Sequence, residues 1–90
     1  MQGFAEKKDE KLVRVNVEFS DKIDSIIISG DFFIHPEESI ELIENGIKGT
    51  GLSSLDTVSW TIKKLVAENR IDMIGVSPET IQEAIKEAVK

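Results

Sequence analysis

The single histidine, His35, lies among carboxylates that could orient it for acid–base chemistry. Asp31, Glu37 and Glu38 are its close neighbours in the sequence. A histidine acting as a general base needs such an orienting carboxylate and a nearby proton donor. The same residues resemble a metal-ligand set, but consecutive side chains such as Glu37 and Glu38 diverge on a helix and do not converge on one ion. Capping and turn formation explain these residues more simply, so we expect no catalytic residue and no metal site in this chain.

A glycine-bearing loop has some features of a phosphate-binding site. Gly46 and Gly51 have the spacing of a P-loop, but Leu52 occupies the position where that loop requires a lysine. The pattern from Gly49 to Ser54 half-matches a dinucleotide fingerprint, yet the segment before it has the pattern of a helix rather than a strand. A turn between two helices is the favoured interpretation. We therefore expect this chain alone to bind no cofactor.

Three aromatic residues are candidates for an interaction surface. Phe32 and Phe33 are adjacent, and neighbouring side chains at a strand end point in different directions, so one can enter the core while the other faces outward. Trp60, the only tryptophan, lies far around a predicted helix from its apolar stripe. Aromatic side chains often anchor protein interfaces. Burial of all three in a small core remains an open alternative.

Composition excludes several classes of protein. The 90 residues contain no cysteine, which excludes disulfides, a thiolate nucleophile and iron–sulfur ligation. Eleven Lys and Arg against seventeen Asp and Glu give a net charge of −6, which disfavours nucleic-acid binding. No apolar stretch approaches the roughly 20 residues of a membrane span. The first eleven residues lack the apolar region of a signal peptide, so a cytoplasmic location is expected.

The pattern of apolar residues predicts three strands. Strict alternation predicts a half-buried strand over residues 12–19, and a second β-rich run over 23–30 completes a hairpin. A short apolar run over 71–76 fits a third strand. Residues 1–11 mix both charges without a period, so we expect them to form a flexible tail.

Three helices complete the predicted domain, which spans residues 12–90. Pro36 is expected to open the first, an apolar stripe predicts a second over about 54–69, and Ser77 is expected to cap a third. The predicted order is ββααβα. This order is typical of an α+β fold in which about three helices pack on a small antiparallel sheet.

One stretch of the sequence also resembles a known family. Ser29-Gly30-Asp31-Phe32-Phe33 is followed by Pro36-Glu37-Glu38, by two Ile-Glu pairs at Ile40-Glu41 and Ile43-Glu44, and by Lys48-Gly49. A hairpin, a Gly-Asp-Phe-Phe turn and a helix with this pattern resemble the C-terminal accessory domain of lipoate–protein ligases. The resemblance covers about residues 11–89. It implies the fold shared with SufE and NifU-type iron–sulfur assembly proteins, whose cysteines this chain lacks.

The resemblance also implies a function and a partner. Lipoate–protein ligases use ATP to convert lipoate to lipoyl-adenylate, and they then transfer the lipoyl group to a lysine of a lipoyl acceptor domain. ATP, Mg²⁺ and lipoate are expected in a large catalytic domain, which some organisms, notably archaea, encode as a separate polypeptide. The expected partner is therefore the catalytic large subunit of a two-component ligase. Contact with lipoyl acceptor domains would be indirect, and neither nucleic acid nor membrane is an expected partner.

The resulting hypothesis is an accessory subunit that acts by docking. The residues predicted to form its partner interface are Asp31, Phe32, Phe33, His35 and Trp60. Two alternatives remain open. One is a free-standing α+β interaction adaptor unrelated to lipoate, and the other is a small stand-alone enzyme that uses His35 and nearby carboxylates.

Overall fold

Three antiparallel strands form the main sheet, in the spatial order β1-β2-β3. The computed structural model describes all 90 residues and places these strands at Gln2–Lys8 (β1), Leu12–Phe19 (β2) and Ile23–Gly30 (β3). In β2, Val13, Val15 and Val17 face inward and are completely buried, as the alternation predicts. The predicted hairpin over 12–30 is therefore confirmed.

Three α-helices lie on the inner side of this sheet, and two of them pack directly on its strands. They are Ser39–Ile47 (α1), Val58–Asn69 (α2) and Pro78–Ala88 (α3), with a 3₁₀ segment at Leu52–Thr57 leading into α2. Helix α1 packs on β3, α3 packs on β1 and β2, and α2 contacts both of the other helices. The helices bury the apolar stripes that their 3.6-residue periods predict. The buried residues of α3 are Ile81, Ala84, Ile85 and Ala88.

Helix α1 begins later than the proline suggests. The amides of Ser39 and Ile40 donate to the carbonyls of Pro36 and Glu37, three residues earlier. These bonds form a tight turn of the 3₁₀ type rather than a first α-helical turn. Pro36 therefore lies in the turn before α1, whose first helical residue is Ser39.

The first residues of the chain form a strand, so the prediction of a flexible tail over 1–11 is wrong. Strand β1 pairs with β2 along its whole length, from Gln2 opposite Glu18 to Lys8 opposite Leu12. Its buried inward side chain is the small Ala5, and its one large apolar residue, Phe4, points outward and is half exposed. Small inward residues leave no large-apolar alternation in the sequence, which is the reason that the strand was missed.

A second, two-stranded sheet lies apart from the main one. Phe33–His35 (β4) pairs antiparallel with Asp72–Ile74 (β5). The predicted third strand is therefore present at 72–74, but it joins β4, and the third strand of the main sheet is β1. The α+β class with antiparallel sheets is confirmed. We refer to the β4–β5 pair as the ribbon.

None of the three helices has the combination of length and apolar character that crossing a lipid bilayer requires.

An aspartate in the β1–β2 turn accepts hydrogen bonds from the start of α3. Ser77 caps the helix, as predicted, by accepting a hydrogen bond from the Thr80 amide at 3.2 Å. The Asp9 carboxylate in turn accepts from the Ser77 amide and from the Thr80 hydroxyl, both at 2.8 Å. The Thr80 hydroxyl is the main reason that the pKa of Asp9 lies below its ordinary value of 3.8. Asp9 thus links the β1–β2 turn to the start of α3 through hydrogen bonds.

Replacing Asp9 by asparagine is expected to destabilise the protein at neutral pH but not in acid. The pKa of Asp9 is lower in the folded chain than in the unfolded chain, so its contribution is complete above the unfolded value of 3.8. That contribution is lost as the pH falls through the lower, folded value. Urea unfolding of Asp9→Asn and wild type, measured from neutral pH downward, should therefore give curves that converge in acid.

The control for this prediction is Ser77→Ala, which removes the neutral cap. It should cost about 1 kcal/mol at neutral pH and should keep a cost in acid, because a hydroxyl does not titrate in this range. A stability difference between Asp9→Asn and wild type that stays constant with pH would contradict the assigned role of the carboxylate.

Candidate docking surface

Four side chains share the outward face of the ribbon. The strand register places Phe33 directly opposite Ile74 and His35 directly opposite Asp72, and residues two apart on a strand lie on the same face. Phe33 is 67% exposed and Ile74 is 56% exposed. The ribbon therefore presents a pair of large apolar side chains to solvent, beside a histidine and a carboxylate. We call these four residues the ribbon face.

The two adjacent phenylalanines have different environments, as predicted. Phe32 is partly buried and packs against the hydrophobic core, whereas Phe33 faces outward. On the other side of the ribbon, Ile34 is buried and Met73 packs against the same core. The inner side of the ribbon thus anchors it to the domain while the outer side stays free.

Gly30 sets the direction in which the chain leaves β3 toward the ribbon. Its φ of +149° is unfavourable for other residues, and a Cβ here would lie 2.0 Å from the carbonyl oxygen of Leu12. The next amide, that of Asp31, donates to this same oxygen at 3.0 Å. Close contact of the two backbones therefore requires glycine at the turn that positions Phe32 and Phe33.

An apolar groove of about 260 Å³ lies beside the ribbon, between the end of β3 and the start of α1. Its lining residues are Ile28, Ser29, Gly30, Phe32, Phe33, Ile34, Glu37 and Ile40. Strand β3 forms an edge of the main sheet, and edge strands carry unpaired backbone groups. At the groove, one such group is satisfied from α1, since the Ile28 amide donates to the Glu44 carboxylate at 2.7 Å.

Acidic side chains that form no ion pair are exposed on the segments next to the ribbon and on the ribbon itself. They are Asp31, Glu37 and Glu38 between β3 and α1, Glu41 in the first turn of α1, and Asp72 on β5. The four ion pairs of the protein involve other acidic residues: Glu6, Asp56, Glu79 and Glu87. Two cations, Lys11 beside Gly75 and Arg70 before β5, flank the acidic side chains. The surroundings of the apolar pair are therefore predominantly negative.

Trp60 belongs to a different part of the surface. It projects from α2 with 64% of its area exposed, as its position on the helix predicts, and it does not line the groove. The ammonium group of Lys64 lies 5.5 Å from the centroid of its ring, within the range of a cation–π contact.

The structure thus groups most of the predicted interface residues and adds two. Asp31, Phe32 and Phe33 adjoin the groove or the ribbon, and His35 lies on the ribbon face. Sequence reasoning missed Ile74 and Asp72. Their alternation in the predicted strand over 71–76 was visible, but the pairing of that strand with β4 depends on the tertiary fold.

The glycine-bearing loop uses its backbone amides within the protein. The Gly49 amide donates to the Ile23 carbonyl at 2.8 Å, and the Leu52 amide donates to the Asp21 carbonyl at 3.0 Å. The loop also accepts at Thr50 from the Ile23 amide, at 2.9 Å. The loop is therefore a connection between helices in which the amides of Gly49 and Leu52 are bonded to the β2–β3 turn and the start of β3.

The titratable residues form no compact ligand set. No three His, Cys, Asp or Glu side chains are placed to hold a metal ion. His35 has Asp72 as its cross-strand neighbour, on an open face of the ribbon.

These features define a small α+β domain that exposes an apolar pair bordered by acidic residues, a candidate surface for contact with another protein. No family model matches the sequence. The chain is 33% identical over 81 residues to lipoate-protein ligase A subunit 2 of Thermoplasma acidophilum, covering 89% of this chain and 82% of that protein.

The fold has a counterpart among solved structures. It matches a chain from a structural study of an archaeal lipoylation system, a bipartite lipoate protein ligase and its E2 lipoyl domain from Thermoplasma acidophilum. The TM-score is 0.76 at 30% identity, with 94% of each chain covered. The chain therefore belongs to the lipoate–protein ligase A subunit 2 family, in agreement with the resemblance found in the sequence.

Proposed function

We propose that this chain is the non-catalytic small subunit of a two-component lipoate–protein ligase. It docks on the catalytic subunit and enables ATP-dependent activation of lipoate to lipoyl-AMP, which precedes transfer to a lysine of a lipoyl acceptor domain. The observation that carries the proposal is the similarity to subunit 2 of the Thermoplasma ligase along 89% of the chain. The fold likeness to a chain of the bipartite ligase supports it.

In this proposal, the catalytic subunit binds ATP, Mg²⁺ and lipoate, and the reaction takes place in the cytoplasm. The small subunit supplies contact surface rather than reacting groups. A subunit of this kind can accelerate adenylation only if it binds the adenylation-competent state of its partner more tightly than the other states. A tenfold shift of that equilibrium requires about 1.4 kcal/mol of differential binding.

Reconstitution of the ligase from separate subunits tests the proposal. The cognate catalytic subunit is mixed with ATP, Mg²⁺ and lipoate, with and without this chain, and pyrophosphate release is measured. We expect substantial pyrophosphate release only from the mixture, because adenylation requires the docked state. This chain alone should release none.

A second arm of the experiment locates the step that depends on the small subunit. Preformed lipoyl-AMP and an acceptor domain are given to the catalytic subunit alone, and the mass of the acceptor is followed. Lipoylation should proceed, since adenylation has been bypassed. A catalytic subunit that releases pyrophosphate equally fast without this chain would refute the proposed role and favour the unrelated adaptor.

A further inference from the structure

Apart from Met1 and Leu42, the exposed large apolar side chains lie on three separate surfaces, and one of these has a border of unpaired acidic residues. The first surface is the ribbon face, with Phe33 and Ile74. The second is the outer face of the main sheet, where Phe4 and Ile27 are exposed on either side of Asn16. The third is the outer side of α2, with Trp60.

On each of the other two apolar surfaces, a cation directly contacts another side chain of that surface. On the sheet, Arg14 lies one row from Phe4 and Ile27 and forms an ion pair with Glu6, at 3.7 Å. On α2, Lys64 lies over the Trp60 ring. The charges on these surfaces are therefore mixed, and they indicate no partner of a particular sign.

We infer that the ribbon face and the adjoining groove are the docking surface for the catalytic subunit, and that the complementary patch is apolar with a border of Lys and Arg. The inference rests on the proposed function and identifies the surface that carries it out. Phe33 and Ile74 form the centre, and unpaired acidic residues such as Asp31, Glu37 and Asp72 form the border.

The physical basis is the pairing of burial with charge complementarity. Burying Phe33 and Ile74 against an apolar partner removes two large side chains from water, a strong source of binding energy. No residue of the acidic border forms an ion pair within the protein, so the border attracts a basic partner and disfavours an acidic one. Attraction of this kind acts mainly on the association rate and weakens as salt increases.

The groove adds a place for a partner side chain beside Phe33. Its walls are largely apolar, and Glu37 stands at its rim. A Lys or Arg of the partner can cover the groove with its aliphatic stem while its charged end meets the acidic border. The ribbon face and the groove can therefore bind both the apolar centre and the basic border of the inferred patch.

Two matched pairs of variants test the apolar centre in binding assays with the purified catalytic subunit. Ile74→Ser is compared with Ile27→Ser, because both isoleucines are exposed strand residues, 56% and 63% respectively. Phe33→Ala is compared with Trp60→Ala, because the two aromatic side chains are similarly exposed, 67% and 64% respectively. We expect the ribbon variants to raise Kd by about tenfold or more and the two comparison variants by less than about threefold. Circular dichroism melts confirm that each variant is folded.

A third pair tests the charged border. The double variant Asp31→Asn/Glu37→Gln removes two acidic charges at the ribbon. The comparison double variant, Glu18→Gln/Glu83→Gln, removes two acidic charges from β2 and α3. The ribbon pair should slow association by about tenfold at about 0.1 M salt, and the difference should fade at about 1 M, where the Debye length is only about 3 Å. The comparison pair should leave association nearly unchanged.

The outcomes separate this inference from the proposed function. If the wild-type chain forms no complex and stimulates no adenylation, the proposed function fails. If the wild-type complex forms but the ribbon variants bind as tightly as wild type, the inferred docking surface is wrong. It is also wrong if Trp60→Ala or Ile27→Ser weakens binding more than the ribbon variants do. Equal effects of the two charge pairs would overturn the basic character assigned to the partner.

Discussion

Removal of residues 2–8, with Met1 joined directly to Asp9, is expected to lower the free energy of unfolding by about 3 kcal/mol or more. Domains of this size have total stabilities of about 5–15 kcal/mol, so the loss is a large fraction of the whole. The deletion removes every backbone bond between β1 and β2, each with a net value of about 1 kcal/mol. It also uncovers the side of α3 that packs on β1. Urea unfolding monitored by circular dichroism measures the effect.

Point substitutions in the same strand provide the controls for this deletion. A Cβ at Gly3 would lie 1.7 Å from the carbonyl oxygen of Ala88, so Gly3→Ala should destabilise the packing of α3 on β1. Phe4→Ser changes an outward side chain and should have an effect within about 0.5 kcal/mol. If the shortened chain were as stable as wild type, residues 2–8 would behave as the tail that the sequence suggested.

Gly30→Ala is the second substitution for which we expect a large effect, about 3 kcal/mol of destabilisation. The new methyl group would meet the Leu12 carbonyl oxygen at 2.0 Å, and the backbone would also be strained at a φ of +149°. Relief of this clash requires separation of the start of β2 from the end of β3. Because the ribbon follows directly, docking on the catalytic subunit should weaken as well.

Gly49→Ala separates the two causes of this effect. Gly49 also has a positive φ, +91°, but a Cβ there would meet nothing within 4 Å. Gly49→Ala should therefore cost only the conformational strain of a positive φ, about 1–2 kcal/mol. Thermal melts of the two variants measure the difference, and similar losses for both would show that the contact with Leu12 does not matter.

The elements that the sequence predicted well are those whose large apolar residues repeat with a clear period. Strand β2 alternates Val13, Val15 and Val17 with polar residues, and helix α3 repeats Ile81 and Ile85 on one face. The structure buries all five. These periods follow from the local geometry of strands and helices, which each segment imposes on its own residues.

Strand β1 shows where this reasoning fails. Its inward positions include Gly3 and Ala5 because the end of α3 lies against them, and small residues do not produce a visible apolar period. The need for small side chains arises from a helix more than 70 residues later in the chain. No local pattern could have indicated it.

The features of the candidate site also divide into those that the sequence predicted and those that only the tertiary fold could show. The sequence by itself determined that Phe32 and Phe33 point in different directions, that Trp60 lies away from the apolar stripe of its helix, and which family the chain resembles, but it left open whether these aromatic residues are buried. Only the tertiary structure decided that β5 pairs with β4, which brings Ile74 beside Phe33 and Asp72 beside His35. Periodicity reports the side of an element that is buried, whereas the choice of strand partner depends on contacts between residues distant in sequence.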